Sequence, residues 1–167
     1  MSTITPTNEE LYNEIREYVA RAVDFTPAQI IISNSNMPRP NGMYGTVYIL
    51  TESTDGLPKN SINGQSTLIK NIKVSVQFYR NNAVDHANTL FLYLTSRQKD
   101  WIKNKYITYV NNSEVRDLTG LVTNNYEQRA SIDINFKYEQ TVIYPYKSNI
   151  IDVSIDNKDT GGASSKP

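Results

Sequence analysis

The segment YEQRASIDINFKY, residues 126–138, decides the fold, because its side chains alternate between apolar and polar. The even positions are apolar apart from Gln128, and they comprise Tyr126, Ala130, Ile132, Ile134, Phe136 and Tyr138. Every odd position is polar. Since successive side chains of a strand point to opposite faces, the pattern predicts one long strand. One face would lie on a core, and the other would face water or a neighbouring protein.

Two further strands are predicted upstream. The segment 68–78 alternates in the same way, with Leu68, Ile72, Val74, Val76 and Phe78 on its apolar face. Its polar face carries Asn71, Lys73, Ser75 and Gln77. The segment 43–51 has apolar or aromatic residues on both faces. That composition indicates a strand that is buried, or one with a face covered by another subunit.

The chain between these strands is rich in turn-forming residues. Residues 52–65 contain Asp, Asn, Gly and Pro, and they predict the tip of a long hairpin. Residues 107–110 predict a short strand, and Asn111-Asn112 predicts a turn after it. Residues 115–122 predict an irregular segment.

Two helices complete the predicted domain. Thr7 and Glu10 have capping-box spacing, and an apolar stripe from Leu11 to Val23 follows at helical intervals until Thr26-Pro27 ends it. Asn81 or Asn82 is expected to cap a second helix, which continues to about Arg97. Its stripe consists of Ala83, Ala87, Leu90 and Leu94.

Long amphipathic strands with two helices predict an α+β fold. We expect a mainly antiparallel β-sheet with both α-helices packed on one face. The expected boundaries are a single domain at residues 1–156 and a disordered polar tail at residues 157–167.

The composition excludes several classes of function. Basic and acidic residues number 17 each, so the net charge is zero, which argues against DNA or an anionic membrane as the main partner. The chain has no Cys and one His, which excludes disulfides, thiolate or histidine-rich metal sites and a Cys nucleophile. The longest apolar run, residues 90–94, is too short to cross a bilayer, and the N-terminus does not have the pattern of a signal peptide.

No motif for catalysis or for a cofactor is present in the sequence. His86 follows Asp85, but no nucleophile motif accompanies it, and we expect a solvent-facing His in a first helical turn. The sequence contains neither a Gly-x-Gly-x-x-Gly nor a Walker pattern. The carboxylates Asp152, Asp156 and Asp159 do not fit a calcium loop. We therefore expect a protein that is not an enzyme and has no cofactor. The 12 Tyr residues are expected in the core and in subunit interfaces.

Four segments together resemble a known family. They are NMPRP (36–40) leading to Tyr44, VSVQFY (74–79) followed by Ala83 and Ala87, VRDLTGL (115–121), and YEQRASIDI (126–134). In this order and spacing they are similar to the neck or tail terminator proteins of contractile-tailed bacteriophages. The resemblance covers roughly residues 8–140.

The resemblance implies a structural protein of the virion tail or neck, assembled in the cytoplasm of the host bacterium. It implies a ring, usually of six copies, at the head-proximal end of the tail tube. Such a ring caps tube polymerisation, meets the last layer of sheath protein and presents a surface to the head-side connector. DNA passes through its lumen without being read.

A closed ring needs two different, complementary surfaces on each subunit. The candidates for the subunit interface are Arg116, Asp117, Glu127, Arg129, Asp133 and Lys137. The alternatives are a solvated strand face with cross-strand ion pairs, and a local ion pair between Arg116 and Asp117. The candidates for docking onto the tube or lining the lumen are Asp55, Lys59, Asn60 and Asn63. The alternative for that segment is a mobile hairpin tip.

Two other functions remain open at this stage. The chain could be a head-completion or stopper protein on the portal side. A small nucleic-acid-binding domain is the candidate from another class, and zero net charge disfavours it.

Overall fold

A computed structural model of the chain describes residues 6–33, 35, 36, 38–60, 65–96, 106–122 and 125–143. This part contains the helices α1 (Asn8–Ala22) and α2 (Ala83–Thr95) and a 3₁₀ helix at Pro27–Gln29. Its strands are β1 (Ile30–Ile32), β2 (Tyr44–Asn60), β3 (Gln65–Tyr79), β4 (Ile107–Asn112), β5 (Arg116–Asp117), β6 (Gly120–Val122), β7 (Asn125–Glu127) and β8 (Arg129–Ile143). The predicted tail at residues 157–167 lies outside the described residues.

Six strands form one sheet in the order β1-β2-β3-β8-β4, and β5 also pairs with β8. The β1–β2 pair is parallel, and the other pairings in the described sheet are antiparallel. β3 and β8 pair along their full length, from Gln65 opposite Ile143 to Tyr79 opposite Arg129. β6 and β7 form a separate two-stranded sheet. The predicted, mainly antiparallel sheet is confirmed.

Both helices pack on the same face of this sheet, as predicted. α1 buries Leu11, Ile15, Tyr18 and Val19, and α2 buries Ala83, Ala87, Leu90 and Leu94. These side chains join the even-numbered residues 72–78 of β3 and 130–138 of β8 in one hydrophobic cluster. Tyr18 meets Phe136 edge to face with 5.6 Å between ring centroids, a favourable geometry for an aromatic pair. The α+β fold class is therefore correct.

The first helix begins as predicted and ends earlier. Thr7 and Glu10 form the capping box, in which the Glu10 amide donates to the Thr7 hydroxyl at 3.2 Å and the Thr7 amide donates to the Glu10 carboxylate at 2.8 Å. The helix ends at Ala22, where we expected Thr26-Pro27. Asp24 takes a left-handed conformation (φ 57°), and the Phe25 amide donates to the carbonyl of Ala20. This Schellman-type end reverses the chain before the proline is reached.

The expected side-chain cap of the second helix is wrong. Asn82 is the N-cap residue, but its backbone is left-handed (φ 61°) and its side chain makes no capping hydrogen bond. Its amide instead donates to the Gln128 side chain at 2.8 Å. The helix therefore starts from a contact with the β7–β8 junction, and it ends at Thr95, two residues before the expected Arg97.

Several loop predictions are wrong because strand pairing overrides local turn propensity. β2 continues through residues 52–60, which pair with β3. The register of this pairing shifts at two places, near Leu50 and near Gly56. Gly56 has a φ of 76°, which suits a glycine at such a bulge. Asn111-Asn112 lies inside β4, with no turn, and residues 115–122 contain β5 and part of β6.

The predicted strand at 126–138 is interrupted at Gln128. Tyr126 and Glu127 belong to β7, and β8 starts at Arg129. The even residues from Ala130 to Tyr138 are buried as predicted, whereas Tyr126 is 80% exposed.

Two polar residues of α1 fasten the helix across the sheet. The Arg16 guanidinium donates to the carbonyls of Ile30 (2.8 Å) and Pro27 (2.9 Å), next to β1. The Glu14 carboxylate accepts from the backbone amides of Tyr106 and Ile107, at the start of β4. The helix is thus tied to opposite edges of the sheet.

Candidate functional site

The sheet face opposite the helices, named the outer face here, carries most of the predicted interface residues. Its side chains come from alternate positions of neighbouring strands, so they form rows across the sheet. One row, read from the β1 edge to the β5 edge, consists of Ile31, Thr46, Gln77, Ser131 and Arg116. The face is polar, which distinguishes it from the hydrophobic helix-covered face.

Asp133 is the centre of an ion-pair cluster on the outer face. Its side chain is 7% exposed, and its carboxylate meets the Arg116 guanidinium at 2.9 Å and the Lys73 ammonium at 3.2 Å. The Asp133 amide donates to the Ser113 hydroxyl at 3.0 Å, and the Arg116 Nε donates to the Ser131 hydroxyl at 3.2 Å. The cluster satisfies a carboxylate that would be costly to bury alone.

This cluster shows which carboxylate Arg116 contacts within the chain. Arg116 pairs with Asp133 on the neighbouring strand β8, and the alternative of a local ion pair with Asp117 is not found among the described residues. The Asp117 carboxylate instead accepts from the Thr119 amide at 2.8 Å, and the hydrogen bonds from Thr119 lower its pKa. Arg116 keeps 54% of its side chain exposed to solvent.

A stack of aromatic rings and guanidinium groups occupies the end of the outer face next to β1. The rings of Tyr44 and Tyr79 stack with 4.8 Å between centroids. Arg80 lies 5.3 Å from the Tyr44 ring and Arg129 lies 5.1 Å from the Tyr79 ring, distances typical of cation–π contacts. Arg129 also donates to the Gln77 side chain.

Arg80 joins this stack to the preceding loop. Its backbone is left-handed (φ 70°), and its side chain donates to the carbonyls of Pro40 (2.6 Å) and Gly42 (3.0 Å). The loop that precedes β2 is therefore held by the residue that follows β3.

At its other end the sheet extends beyond the helices. The buried core stops near Ile72 and Tyr138, and residues 52–59 of β2 are exposed at every position. We name the three-stranded part formed by residues 52–60, 65–71 and 137–143 the sheet extension. Leu57 on it is 90% exposed. The predicted hairpin tip at residues 52–65 is thus, over residues 52–60, one strand of a three-stranded sheet.

Ion pairs cross the strands of the sheet extension. The Lys137 ammonium lies 2.6 Å from the Asp55 carboxylate, and this hydrogen-bonded pair lowers the pKa of Asp55. Lys70 lies 3.1 Å from Glu52, which also accepts from the Tyr138 hydroxyl at 3.2 Å. Burial, and then the Glu52 charge, raise the pKa of Tyr138 to about 12.

The structure brings two pairs of the predicted site residues together, Arg116 with Asp133 and Asp55 with Lys137. The second pair joins a docking candidate to an interface candidate, because both residues lie in the sheet extension. Four candidates lie apart from these pairs: Lys59 on the exposed part of β2, Asp117 in β5, Glu127 in β7 and Arg129 in the aromatic stack. Asn60 ends β2, and Asn63 lies outside the described residues.

The cluster of Tyr44, Tyr79 and Arg80 was not predicted from the sequence. The aromatic content of both faces of residues 43–51 was the available signal. The Tyr44–Tyr79 contact itself depends on the register of β2 against β3, which places these two residues opposite each other.

His86 is the position where the expectation of a solvent-facing side chain is wrong. Its ring lies 4.6 Å from the Phe25 ring and 6.1 Å from the Phe78 ring, and its Nε2 lies 3.3 Å from the Met43 sulfur. The half-buried imidazole therefore packs against the edge of the core. Burial lowers the pKa of His86, and the nearby Asp85 charge acts in the opposite direction.

We expect the thermal stability of the protein to fall between pH 7.5 and pH 5.5. Because the folded-state pKa of His86 is below the unfolded value of about 6.5, the unfolded chain binds a proton more readily. The contribution of neutral His86 to the free energy of unfolding is complete above the pKa of the unfolded chain. It is lost as the pH falls towards the pKa of the folded protein. His86 is the one His of the chain, so a His86→Asn variant should show a smaller change in Tm. If Tm fell equally with pH in the variant and in the unaltered protein, His86 would not be the cause of the pH dependence.

Within the described residues, no group of three or more His, Asp or Glu side chains is placed to hold a metal ion. None of the described helices has the length and apolar character needed to cross a membrane.

A second exposed apolar surface lies near β6 and β7. Leu118, Leu121 and Tyr126 are 44%, 63% and 80% exposed. Large apolar side chains grouped at a surface are typical of contacts with other proteins. Leu121 and Tyr126 lie opposite each other on the short two-stranded sheet, and Leu118 precedes that sheet in the chain. This group is separate from the sheet extension that carries Leu57.

Comparison of the sequence with known proteins gives one family. A family model described as phage neck terminator protein matches residues 9–162. No curated protein matches the sequence.

Proposed function

Because the chain belongs to the phage neck terminator protein family, and is therefore a structural protein of the phage neck, we propose that six copies form a ring that ends the tail tube. The ring occupies the head-proximal end of a contractile tail and joins it to the head connector. The ring stops polymerisation of the tail tube by its shape. One side of the ring matches the end of the tube, and the other side offers no surface to which further tube protein can bind. The family match over residues 9–162 is the observation that carries this proposal.

The two edges of the sheet support a ring. A head-to-tail ring needs two different surfaces on each subunit. One edge consists of the short parallel strand β1 beside β2, and the other consists of β4 and β5 beside β8. The two edges differ in direction, length and side chains, so they suit a heterologous contact. Glu127, Arg129 and Asp117 are proposed to act at this contact, together with the exposed part of Arg116.

The sheet extension supports docking onto the tube. It carries exposed charges, including Asp55 and Lys59, beside the exposed Leu57. A polar rim around an apolar side chain is a common composition for a protein interface. We assign the extension to the tube or lumen side, and the apolar group of Leu118, Leu121 and Tyr126 to a neighbouring protein.

The proposed partners are the tail tube protein, the sheath protein and the head-side connector. DNA passes through the lumen without being read, in keeping with the zero net charge of the chain. Residues 1–156 are proposed to act as one domain, assembled in the host cytoplasm, without a chemical reaction.

Negative-stain microscopy of the purified protein, mixed with tail tubes or with heads, tests this function. We expect rings at one end of the tubes, and overlong tubes when tube protein polymerises without the chain. We also expect Leu57→Asp to reduce ring occupancy on tubes by about tenfold, since a charge would replace a buried apolar contact. The fold should tolerate this change, because Leu57 is 90% exposed.

Leu92→Asp provides the matched control, because Leu92 is also exposed (66%) but lies on α2. We expect it to cap tubes like the unaltered protein. An equal loss of ring occupancy in the Leu57→Asp and Leu92→Asp variants would contradict docking through the sheet extension. Rings found on heads alone would identify a stopper on the portal side, and absence from purified virions would contradict both.

A further inference from the structure

β4 forms one edge of the main sheet, and its composition is unusual for an edge strand. It has the sequence ITYVNN over six residues, Ile107–Asn112, with no charged residue and no proline. It pairs with β8 on one side, and no strand covers its other side within the described residues. Natural proteins protect open edges with charges, prolines or a covering segment, because the free N–H and C=O groups of an edge bind other strands. The composition of β4 therefore suits pairing with a further strand.

The opposite edge of the sheet is open over part of its length. β1 pairs with β2 only from Gly45 to Val47, and no strand in the described part of the chain continues this pairing. The amide of Ile49 donates to the Tyr12 hydroxyl of α1 at 3.4 Å, which marks the end of the covered part. Residues 50–55 are exposed at every position. We name residues 50–55 of β2 the open segment.

The acidic side chains of the open segment are paired within their own chain. Glu52 lies 3.1 Å from Lys70 of β3, and Asp55 lies 2.6 Å from Lys137 of β8. Each carboxylate therefore has a cation beside it without any contribution from a neighbour. An uncharged strand such as β4 can approach this edge without separating either ion pair.

The two open edges lie at the same height along the strands. The pairing registers give one row across the sheet that consists of Thr51, Lys73, Asn135 and Asn111. Two positions further along, another row consists of Ser53, Asn71, Lys137 and Thr108. The residues at both ends of each row are exposed. A second copy placed beside the first at the same height therefore brings β4 next to the open segment.

The strand directions also suit this arrangement. β3 is antiparallel to both β2 and β8, so β2 and β8 run in the same direction. β4 is antiparallel to β8 and therefore runs opposite to β2. β4 of one copy would meet the open segment of the next as an antiparallel pair, the more stable kind of strand pairing.

Each open edge carries an exposed apolar side chain at a bulge. The register shifts at Leu50 in β2 and at Val110 in β4, and both shifts adjoin the row of Thr51 and Asn111. Leu50 is 43% exposed and Val110 is 41% exposed. In the edge-to-edge arrangement these two side chains come close together, and removing them from water would add to the free energy of association.

We propose that β4 of one copy pairs antiparallel with residues 50–55 of β2 in the next copy, so that the main sheet continues from subunit to subunit. This inference rests on the proposed ring and identifies the strands that join its subunits. A contact between two different edges is head-to-tail, and repeating it can close a ring. The open segment ends before Leu57, which stays available for docking onto the tube.

A disulfide cross-link tests the contact, because the chain has no Cys. Thr51→Cys and Asn111→Cys place one thiol on each open edge, at the two ends of one row. Within one chain these positions are three strand spacings apart, which is about 14 Å. A disulfide needs Cα atoms within about 7 Å of each other. A bond between the two positions can therefore form only between two copies.

We expect oxidation of this double variant on tail tubes to give a ladder of covalent oligomers that ends at the size of the ring. Each single variant should stay monomeric on a non-reducing gel, and a mixture of the two should give dimers and nothing larger. Ser53→Cys with Thr108→Cys, from the second row, should give the same ladder. Thr51→Cys with Leu92→Cys is the matched control, because Leu92 is exposed on α2, and it should give no ladder.

Val110→Asp tests the contact without a cross-link. A charge on an open edge disfavours strand pairing, and here it would also approach the acidic side chains of the open segment. We expect self-association to weaken by about tenfold, measured by sedimentation and by counting rings on tail tubes. The fold should tolerate the change because Val110 is 41% exposed. Leu92→Asp should assemble like the unaltered protein.

The outcomes separate this contact from the proposed function. Rings on tail tubes without a ladder from either cysteine pair would overturn the contact and leave the terminator function standing. A ladder from a protein that binds only heads would keep the contact and overturn the function. Dimers from Asn111→Cys alone would indicate a symmetric contact between two β4 strands and would overturn the proposal. Val110→Asp that self-associates normally but no longer binds tubes would assign this edge to another tail protein, with the same consequence.

Discussion

Phe136→Ala is expected to lower the free energy of unfolding by about 3–5 kcal/mol. Phe136 is fully buried at the centre of the helix-covered face. Its ring lies 5.6 Å from the Tyr18 ring of α1 and 6.5 Å from the Tyr109 ring of β4. The change would remove apolar contacts and leave a cavity where a helix meets the sheet. Because small domains have total stabilities of about 5–15 kcal/mol, a large part of the variant would be unfolded at moderate urea concentrations.

Asn135→Ala is the matched control, because residue 135 lies next to Phe136 but on the outer face. It removes one exposed hydrogen bond, to Asn111, and we expect it to cost about 1 kcal/mol or less. Urea denaturation followed by circular dichroism measures both variants. Similar midpoints for the two would contradict the placement of the core on the even-numbered face of β8.

Replacing Lys73 and Arg116 together by Met is expected to cost about 3–5 kcal/mol at neutral pH. The two changes remove both cations from Asp133 and keep much of the apolar cover over it. The carboxylate, which is 7% exposed in the unaltered chain, would then have no compensating charge. Each single change should cost much less, because the other cation remains.

Adding Asp133→Asn to that double variant should recover part of the lost stability. The neutral amide removes the buried charge, and its burial costs less than that of an unpaired carboxylate. Chemical denaturation at pH 7 compares the single, double and triple variants. A triple variant no more stable than the double one would show that Asp133 is not the group that the two cations stabilise.

Local patterns in the sequence determine most of the elements. The capping box at Thr7 and Glu10 starts α1, and the alternation in 68–78 and 130–138 defines β3 and the core of β8. These patterns are enough to predict the elements, because each reflects the side-chain period of a single helix or strand and the burial of one of its faces. The resemblance carried by residues 36–134 agrees with the family match at 9–162.

Contacts between segments distant in sequence decided the features that the local patterns did not predict. The strand at residues 52–60 has turn-forming composition, and it is ordered by its hydrogen bonds to β3. Asp133 is buried on a polar face because Arg116 and Lys73 come from other strands to cover it. His86 is half-buried because α1 ends early and places Phe25 against it.

The candidate site on the outer face also depends partly on local sequence and partly on tertiary structure. The sequence by itself determined which side chains can carry charge on the outer face and which faces are apolar. Only the tertiary structure decided that Arg39, Thr46 and Arg129 share a cavity and that Arg116 and Lys73 meet at Asp133. The physical reason is that side-chain periodicity is a property of one segment, whereas strand order and register are set by the lowest free energy of the whole packed sheet.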